Sequence, residues 1–129
     1  MWYHKFINRV SERADLESRE DAIRITEATL ATLGEFIGKT EQSNLASEIP
    51  DELKEFLYSK TPTRAEAGRP MNEPHLEEFY TRVIARAGLG HRDITQRVKV
   101  VIETLEEAVS PGEIKDVLHS LPRGYEDLF

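Results

Sequence analysis

Residues 41–57, EQSNLASEIPDELKEFL, and residues 113–129, EIKDVLHSLPRGYEDLF, are two versions of one stretch. An offset of 72 positions (113 − 41) places the first over the second and preserves the spacing of its apolar residues. The residues that this offset brings together are Glu41/Glu113, Leu45/Val117, Ile49/Leu121, Pro50/Pro122 and Leu53/Tyr125, with Phe56-Leu57 over Leu128-Phe129. The chain therefore contains an internal repeat.

Each copy predicts two short helices that meet at a proline corner. The residue before a proline avoids the α region, so the first helix of the corner should end at Ile49, while Pro50 suits the start of the next helix. The second copy has Arg123-Gly124 where the first has two acidic residues, which predicts a weaker start for its last helix. The apolar residues at the end of the chain, Tyr125, Leu128 and Phe129, predict a C-terminus that is docked on the core.

The repeat extends upstream of the corner. Residues 6–16, FINRVSERADL, match residues 79–89, FYTRVIARAGL, at an offset of 73 (79 − 6). Farther along, a long amphipathic helix is predicted in each half, from Ser18 to a C-cap at Gly38 and from about Ile94 to Val109. Side chains shared by the two halves include Phe6/Phe79, Arg9/Arg82, Val10/Val83, Arg13/Arg86, Thr32/Thr104, Leu33/Leu105 and Glu35/Glu107.

Helix-start signals support an all-α fold. Ser18 with Asp21, and Ser110-Pro111-Gly112-Glu113, are typical of capped helix N-termini. We predict two related four-helix units, packed with approximate two-fold symmetry into one helical bundle domain. The first unit covers residues 1–57, a proline-containing linker covers 58–73, and the second unit covers 74–129.

Composition restricts the class of protein. With 39% hydrophobic residues, 32% charged residues and no cysteine, the chain is typical of a soluble globular protein of the bacterial cytoplasm. The net charge of −7 is spread evenly, which disfavours nucleic-acid binding. Neither a membrane span nor a signal peptide is predicted.

With its motifs laid out, the chain resembles domain-of-unknown-function family 2267. The resemblance lies in Phe-x-x-Arg-Val near the start of each unit, in Thr32-Leu33 and Thr104-Leu105, and in the proline corner that ends with residues 125–129. It covers the whole chain apart from the linker. It implies a helical bacterial protein without an assigned activity, in an accessory or regulatory role, since members also occur joined to sensory or oxygen-binding modules. No catalytic residue follows from it.

Two arginine pairs recur in both halves. Arg9 and Arg13 in the first half correspond to Arg82 and Arg86 in the second, each pair spaced four residues apart on a helix. One hypothesis is that the four arginines form an interaction surface for an acidic partner. The favoured alternative is structural, with ion pairs to neighbouring carboxylates such as Glu35 and Glu107.

Asp116 and His119 are weak metal-ligand candidates, spaced three residues apart on one helix. A metal site in a helical bundle needs further ligands from facing helices. The first repeat has Asn44 and Ser47 at these positions, so an exposed histidine without a ligand role is the favoured interpretation. Gly88-Leu89-Gly90 lacks the remaining features of a phosphate-binding loop.

The sequence does not identify a specific activity. We expect a non-enzymatic helical module, without a cofactor, that binds another protein or self-associates. The alternative is a small-molecule or metal-binding sensor with its site between the repeats. Trp2 and Tyr3 are expected to anchor the first helix in the core, whereas their exposure would indicate a surface for a partner.

Overall fold

The structure is a computed structural model that describes residues 2–58 and 76–129. These two ranges contain helices and connecting turns and no strand, which confirms the all-α fold. The predicted linker at 58–73 falls almost entirely outside the described residues. The helices are α1 (Tyr3–Arg13), α2 (Arg19–Ala46), α3 (Asp51–Tyr58), α4 (Leu76–Ala87), α5 (Ile94–Ala108), α6 (Pro111–Ser120) and a C-terminal 3₁₀ helix (Tyr125–Leu128).

The predicted N-caps are present. The Ser18 hydroxyl accepts a hydrogen bond from the Asp21 amide at 3.1 Å, which satisfies one of the free N–H groups at the start of α2. At the start of α6, the Ser110 hydroxyl accepts from the Glu113 amide at 3.3 Å, and Pro111 occupies the first turn. Both caps lie where the sequence signals place them.

Gly38 is a kink, whereas the sequence predicted a C-cap there. Its φ of 80° and ψ of 164° are not helical, yet residues on both sides remain in α2. The positive φ is accessible to glycine at little cost, so the chain changes direction here without a loop. The prediction of a break at this position is therefore right, but the two helices run directly into one another.

The proline corner begins earlier than predicted. Helix α2 ends at Ala46, not at Ile49, because the chain tightens into a turn before the proline. The amides of Glu48 and Ile49 donate to carbonyls three residues back, at 3.1 and 3.4 Å, and the Ser47 hydroxyl donates to the Asn44 carbonyl at 2.6 Å. These bonds replace the last helical ones.

The C-terminus is docked, as predicted. Tyr125 and Leu128 are buried, and the Tyr125 ring lies 5.2 Å from the ring of Phe36 and 6.2 Å from that of Phe79, measured between centroids. The last helix is a single 3₁₀ turn that follows Gly124 at a φ of 95°, in agreement with the weak start expected from Arg123-Gly124. Aromatic packing therefore fixes an element that is poor in helical hydrogen bonds.

A single cluster of buried side chains joins the helices on either side of the undescribed segment. Large members of the cluster from α1, α2, α4 and α5 include Phe6, Ile25, Leu33, Phe79, Ile102 and Leu105. Within the part of the chain described, none of the helices is long and apolar enough to cross a membrane.

Candidate functional site

The arginine pair of α1 contacts a glutamate of α5. Arg9 Nη1 lies 2.6 Å from Glu107 Oε2, and Arg13 Nη2 lies 2.7 Å from Glu107 Oε1. These side chains are about one third exposed, at 34%, 35% and 38% for the two arginines and the glutamate. The hydrogen bond from Arg13, followed by that from Arg9, lowers the pKa of Glu107.

The arginine pair of α4 contacts a glutamate of α2 in a more buried setting. Arg82 Nη1 lies 3.0 Å from Glu35 Oε2, Arg82 Nε lies 3.2 Å from Glu78 Oε1, and Arg86 also forms an ion pair with Glu35. The Arg82 side chain is only 4% exposed, and its guanidinium carbon lies 5.4 Å from the centroid of the Phe36 ring.

A threonine completes each arginine cluster. Thr32 donates its hydroxyl to the Ala28 carbonyl and accepts from Arg86 at 2.8 Å. Thr104 donates to the Val100 carbonyl and lies 3.5 Å from Arg13. The structural interpretation of the arginines, ion pairs with Glu35 and Glu107, is therefore confirmed. Their use as a surface for a partner stays a prediction.

Three carboxylates from α2 and α6 meet in a second cluster, which we call the acidic cluster: Glu41, Glu113 and Asp116. One oxygen from each lies within 4.8 Å of the others. Glu41 belongs to the part of α2 that follows the Gly38 kink, and Glu113 and Asp116 occupy successive turns of α6. The acidic cluster therefore connects the two helices.

The acidic cluster includes carboxyl groups that are withdrawn from solvent. Glu113 is only 7% exposed, Glu41 is half-buried and Asp116 is exposed. The Oε1 atoms of Glu41 and Glu113 are both buried and accept no hydrogen bond from an N–H or hydroxyl group. Burial, then a side-chain hydrogen bond with Glu41 and the charges of Glu41, Glu48 and Asp116, raise the pKa of Glu113 to about 8.

Glu48 holds the start of α6 beside the acidic cluster. Its Oε1 accepts from the Ser110 amide at 2.8 Å, and its Oε2 accepts from the Ser110 hydroxyl at 3.2 Å. A carboxylate at this end of a helix also interacts favourably with the helix dipole. The proline corner of the first half thus caps a helix of the second half.

The two metal-ligand candidates from the sequence are separated in the structure. Asp116 joins Glu41 and Glu113, whereas His119 is exposed in the last turn of α6 and is not part of the group. The sequence did contain a signal for the other two residues of the acidic cluster, because Glu41 and Glu113 are the first residues of the two copies quoted above. Their proximity depends on how α2 packs on α6, which a local pattern does not reveal.

Trp2 and Tyr3 occupy different environments in the structure. Tyr3 packs against Phe56 with ring centroids 6.2 Å apart, as expected for an anchor of α1. Trp2 is 82% exposed, which contradicts the expectation that it anchors the helix in the core. The indole instead borders a shallow pocket of about 300 Å³ whose other walls are Ser47, Glu48, Ile49 and Pro50. We call Trp2 and these four residues the Trp2 surface.

Comparison with known proteins places the whole described fold in one family. The sequence model of the family DUF2267, described as an uncharacterized conserved protein, matches residues 3–128. The match therefore includes both arginine clusters, the acidic cluster and the proline corners. A search of the curated proteins gave no match.

Proposed function

The chain belongs to the DUF2267 family of uncharacterized conserved proteins, and on that premise we propose that it is a non-enzymatic helical module that binds another protein through the Trp2 surface. The observation that carries the proposal is the exposure of Trp2. A tryptophan left 82% exposed beside a concave corner resembles the aromatic anchors that dominate protein interfaces.

The pocket is suited to a short segment of a partner. A volume of about 300 Å³ is enough for one or two apolar side chains, and Ile49 and Pro50 supply apolar wall. Glu48 adds negative charge at the same place, on a chain with a net charge of −7. The partner is therefore a protein segment with an apolar anchor flanked by Lys or Arg.

We also infer that the chain consists of two four-helix units related by an approximate two-fold axis. Reciprocal contacts support this arrangement, since the arginine pair of each half contacts the glutamate of the other half, Glu107 in one case and Glu35 in the other. The equivalent residues Glu41 and Glu113 also meet, as expected for side chains near such an axis.

The alternative function, a small-molecule or metal-binding sensor with its site between the repeats, is favoured by one observation. The acidic cluster joins α2 of the first half to α6 of the second. This site does not overlap the Trp2 surface, so the two functions can be tested separately.

Site-specific photo-crosslinking tests the proposed function. A photoreactive phenylalanine analogue replaces Trp2 in one variant and Tyr58, the other exposed large aromatic residue, in a control. We expect a protein adduct in host cells from position 2 but not from position 58. Equal adducts from both positions, or none from position 2, would argue against the Trp2 surface, and an adduct with a second copy of the chain would identify self-association.

Fluorescence then measures the interaction directly. Trp2 is the single tryptophan of the chain, so its emission reports on this surface alone. A synthetic peptide from the captured protein, containing the crosslinked segment, should shift the emission to shorter wavelength as the indole is covered. Replacing the basic residues of the peptide should weaken binding, and salt should have the same effect.

A further inference from the structure

We propose that Glu41, Glu113 and Asp116 bind one divalent cation of the size of Ca²⁺, which links α2 to α6. The site is distinct from the Trp2 surface and does not depend on the protein-binding function. Its ligands would be carboxylate oxygens from two helices that are far apart in sequence.

The first argument is convergence. One carboxylate oxygen from each residue lies within 4.8 Å of the other two. Oxygens that bind one Ca²⁺ at about 2.3–2.6 Å are up to about 5 Å apart. The spacing accommodates Ca²⁺ without closure of the helices.

The second argument is the state of the buried oxygens. Glu113 is only 7% exposed, and its Oε1 accepts no hydrogen bond from an N–H or hydroxyl group; the Oε1 of Glu41 is buried in the same way. Without a cation, two neighbouring buried carboxyl groups must share a proton, whereas buried charges in proteins are otherwise paired or coordinate a metal. A cation between the two glutamates would satisfy both oxygens at once.

The third argument is the sign of the surrounding charge. The ionised groups that act on Glu113 are Glu41, Glu48 and Asp116, which are all carboxylates. Glu35 and Glu107, by contrast, are each held by two arginines. Glu48 is already engaged with Ser110, which leaves the three residues of the acidic cluster as ligands.

The chemistry of the ligands identifies the class of ion. Three carboxylates without a histidine or a thiolate form a hard, all-oxygen set, which suits Ca²⁺ and Mg²⁺ better than Zn²⁺ or Cu²⁺. Asp116 is exposed, so water can complete the coordination from that side. Ca²⁺ accepts such a mixed and irregular set, whereas Mg²⁺ demands near-octahedral geometry.

Calorimetric titration of the full chain with CaCl₂, after treatment with EDTA and dialysis, tests the site. We expect one Ca²⁺ per chain, and at least a tenfold loss of affinity in Glu41→Gln and in Glu113→Gln. Asp116→Asn, at an exposed position where folding is not at risk, should also weaken binding. Glu12→Gln, an exposed carboxylate on α1, is the matched control and should bind as the original chain does.

Thermal unfolding provides an independent readout. CaCl₂ should raise Tm of the original chain and of Glu12→Gln but not of Glu113→Gln. The proposal is overturned if the original chain binds no Ca²⁺ at a concentration of about 1 mM, which is on the order of the dissociation constants of the weakest Ca²⁺ sites in proteins. Equal binding by Glu113→Gln and the control, or tighter binding of Mg²⁺ than of Ca²⁺, would overturn it as well.

Discussion

Arg82 and Glu35 form an ion pair of 3.0 Å that joins α4 to α2 beneath the surface, with only 4% of the arginine side chain exposed. Arg9, which occupies the equivalent place in the first half, makes its 2.6 Å pair with Glu107 while 34% exposed. The two contacts have the same chemistry and different burial. Arg82 also contacts Glu78 and the Phe36 ring, so the two arginines differ in both burial and number of partners.

Replacement of Arg82 by alanine should destabilise the protein far more than replacement of Arg9. Removal of one partner from a buried ion pair typically costs up to about 3–5 kcal/mol; Arg82→Ala removes the partner of Glu78 and one of the two arginines that hold Glu35, while Arg86 stays paired with Glu35. An exposed pair contributes less than about 1 kcal/mol. Urea unfolding of the two variants at neutral pH measures both values, and equal losses would contradict this explanation.

The Glu107 carboxylate should make the free energy of unfolding depend on pH in the acidic range. Its pKa is lowered in the folded state by Arg13 and Arg9, so it binds its proton less readily there than in the unfolded chain. The stabilisation from its charged form is therefore fully present above the ordinary value of 4.5 and is lost as the pH falls through the folded value.

Urea unfolding as a function of pH checks this expectation. The original chain should be more stable than Glu107→Gln at pH 6, and the difference should shrink below about pH 4.5. Glu12→Gln serves as a control for the loss of one exposed carboxylate. A difference between the original chain and Glu107→Gln that does not change with pH would show that the arginine contacts are not responsible.

Gly34 of α2 lies against the backbone of Leu57 in α3. A Cβ added to Gly34 would collide with the backbone carbonyl oxygen of Leu57, which also accepts a hydrogen bond from Gln42 Nε2 at 3.0 Å. We expect Gly34→Ala to lower the free energy of unfolding by about 1–3 kcal/mol through overpacking.

Gly112 provides the matched substitution. Its added Cβ would meet no atom within 4 Å, and it lies in the first turn of α6 without a positive φ. Gly112→Ala should therefore raise the free energy of unfolding by up to about 1 kcal/mol. If both alanine variants change thermal stability in the same direction, the contact with Leu57 does not determine the effect.

A double-mutant cycle measures the link between Glu48 and Ser110. Ser110→Ala should cost about 1–2 kcal/mol, since it removes the N-cap of α6 and a hydrogen bond to Glu48. Ser18→Ala, which removes a cap without such a link, should cost about 1 kcal/mol. Glu48→Gln and the Glu48/Ser110 double variant complete the cycle, and additive losses would mean that the two halves are not coupled here.

The sequence was most informative where a feature depends on neighbouring residues. Ser18 and Ser110 cap helices because their partners are three residues away, and the apolar stripe around Phe6 and Val10 follows from helical periodicity. The paired role of the arginines with Glu35 and Glu107 could be anticipated because all of them recur in the repeat. These features could be predicted because their sequence signals lie within a few residues or occur in both halves of the chain.

The rest depends on tertiary packing. The turn after Ala46 includes a short hydrogen bond from the Ser47 hydroxyl to the Asn44 carbonyl; the rule for the residue before proline gives only the latest position at which the helix can end. Trp2 precedes a helix whose apolar face it does not share, so its aromatic character alone was misleading. The meeting of Glu41 and Glu113 reflects the path of α2 after Gly38.

Glu48 has a double position, because it lines the pocket beside Trp2 and also holds the first residues of the helix that carries Glu113. Anything that draws this carboxylate away from Ser110 would loosen one wall of the acidic cluster. If a partner at the Trp2 surface displaces Glu48 from Ser110, occupancy of one site would change the affinity of the other, and thermodynamic reciprocity makes the two effects equal in size. One glutamate at a proline corner would then let a metal ion and a protein partner regulate each other's affinity for the chain.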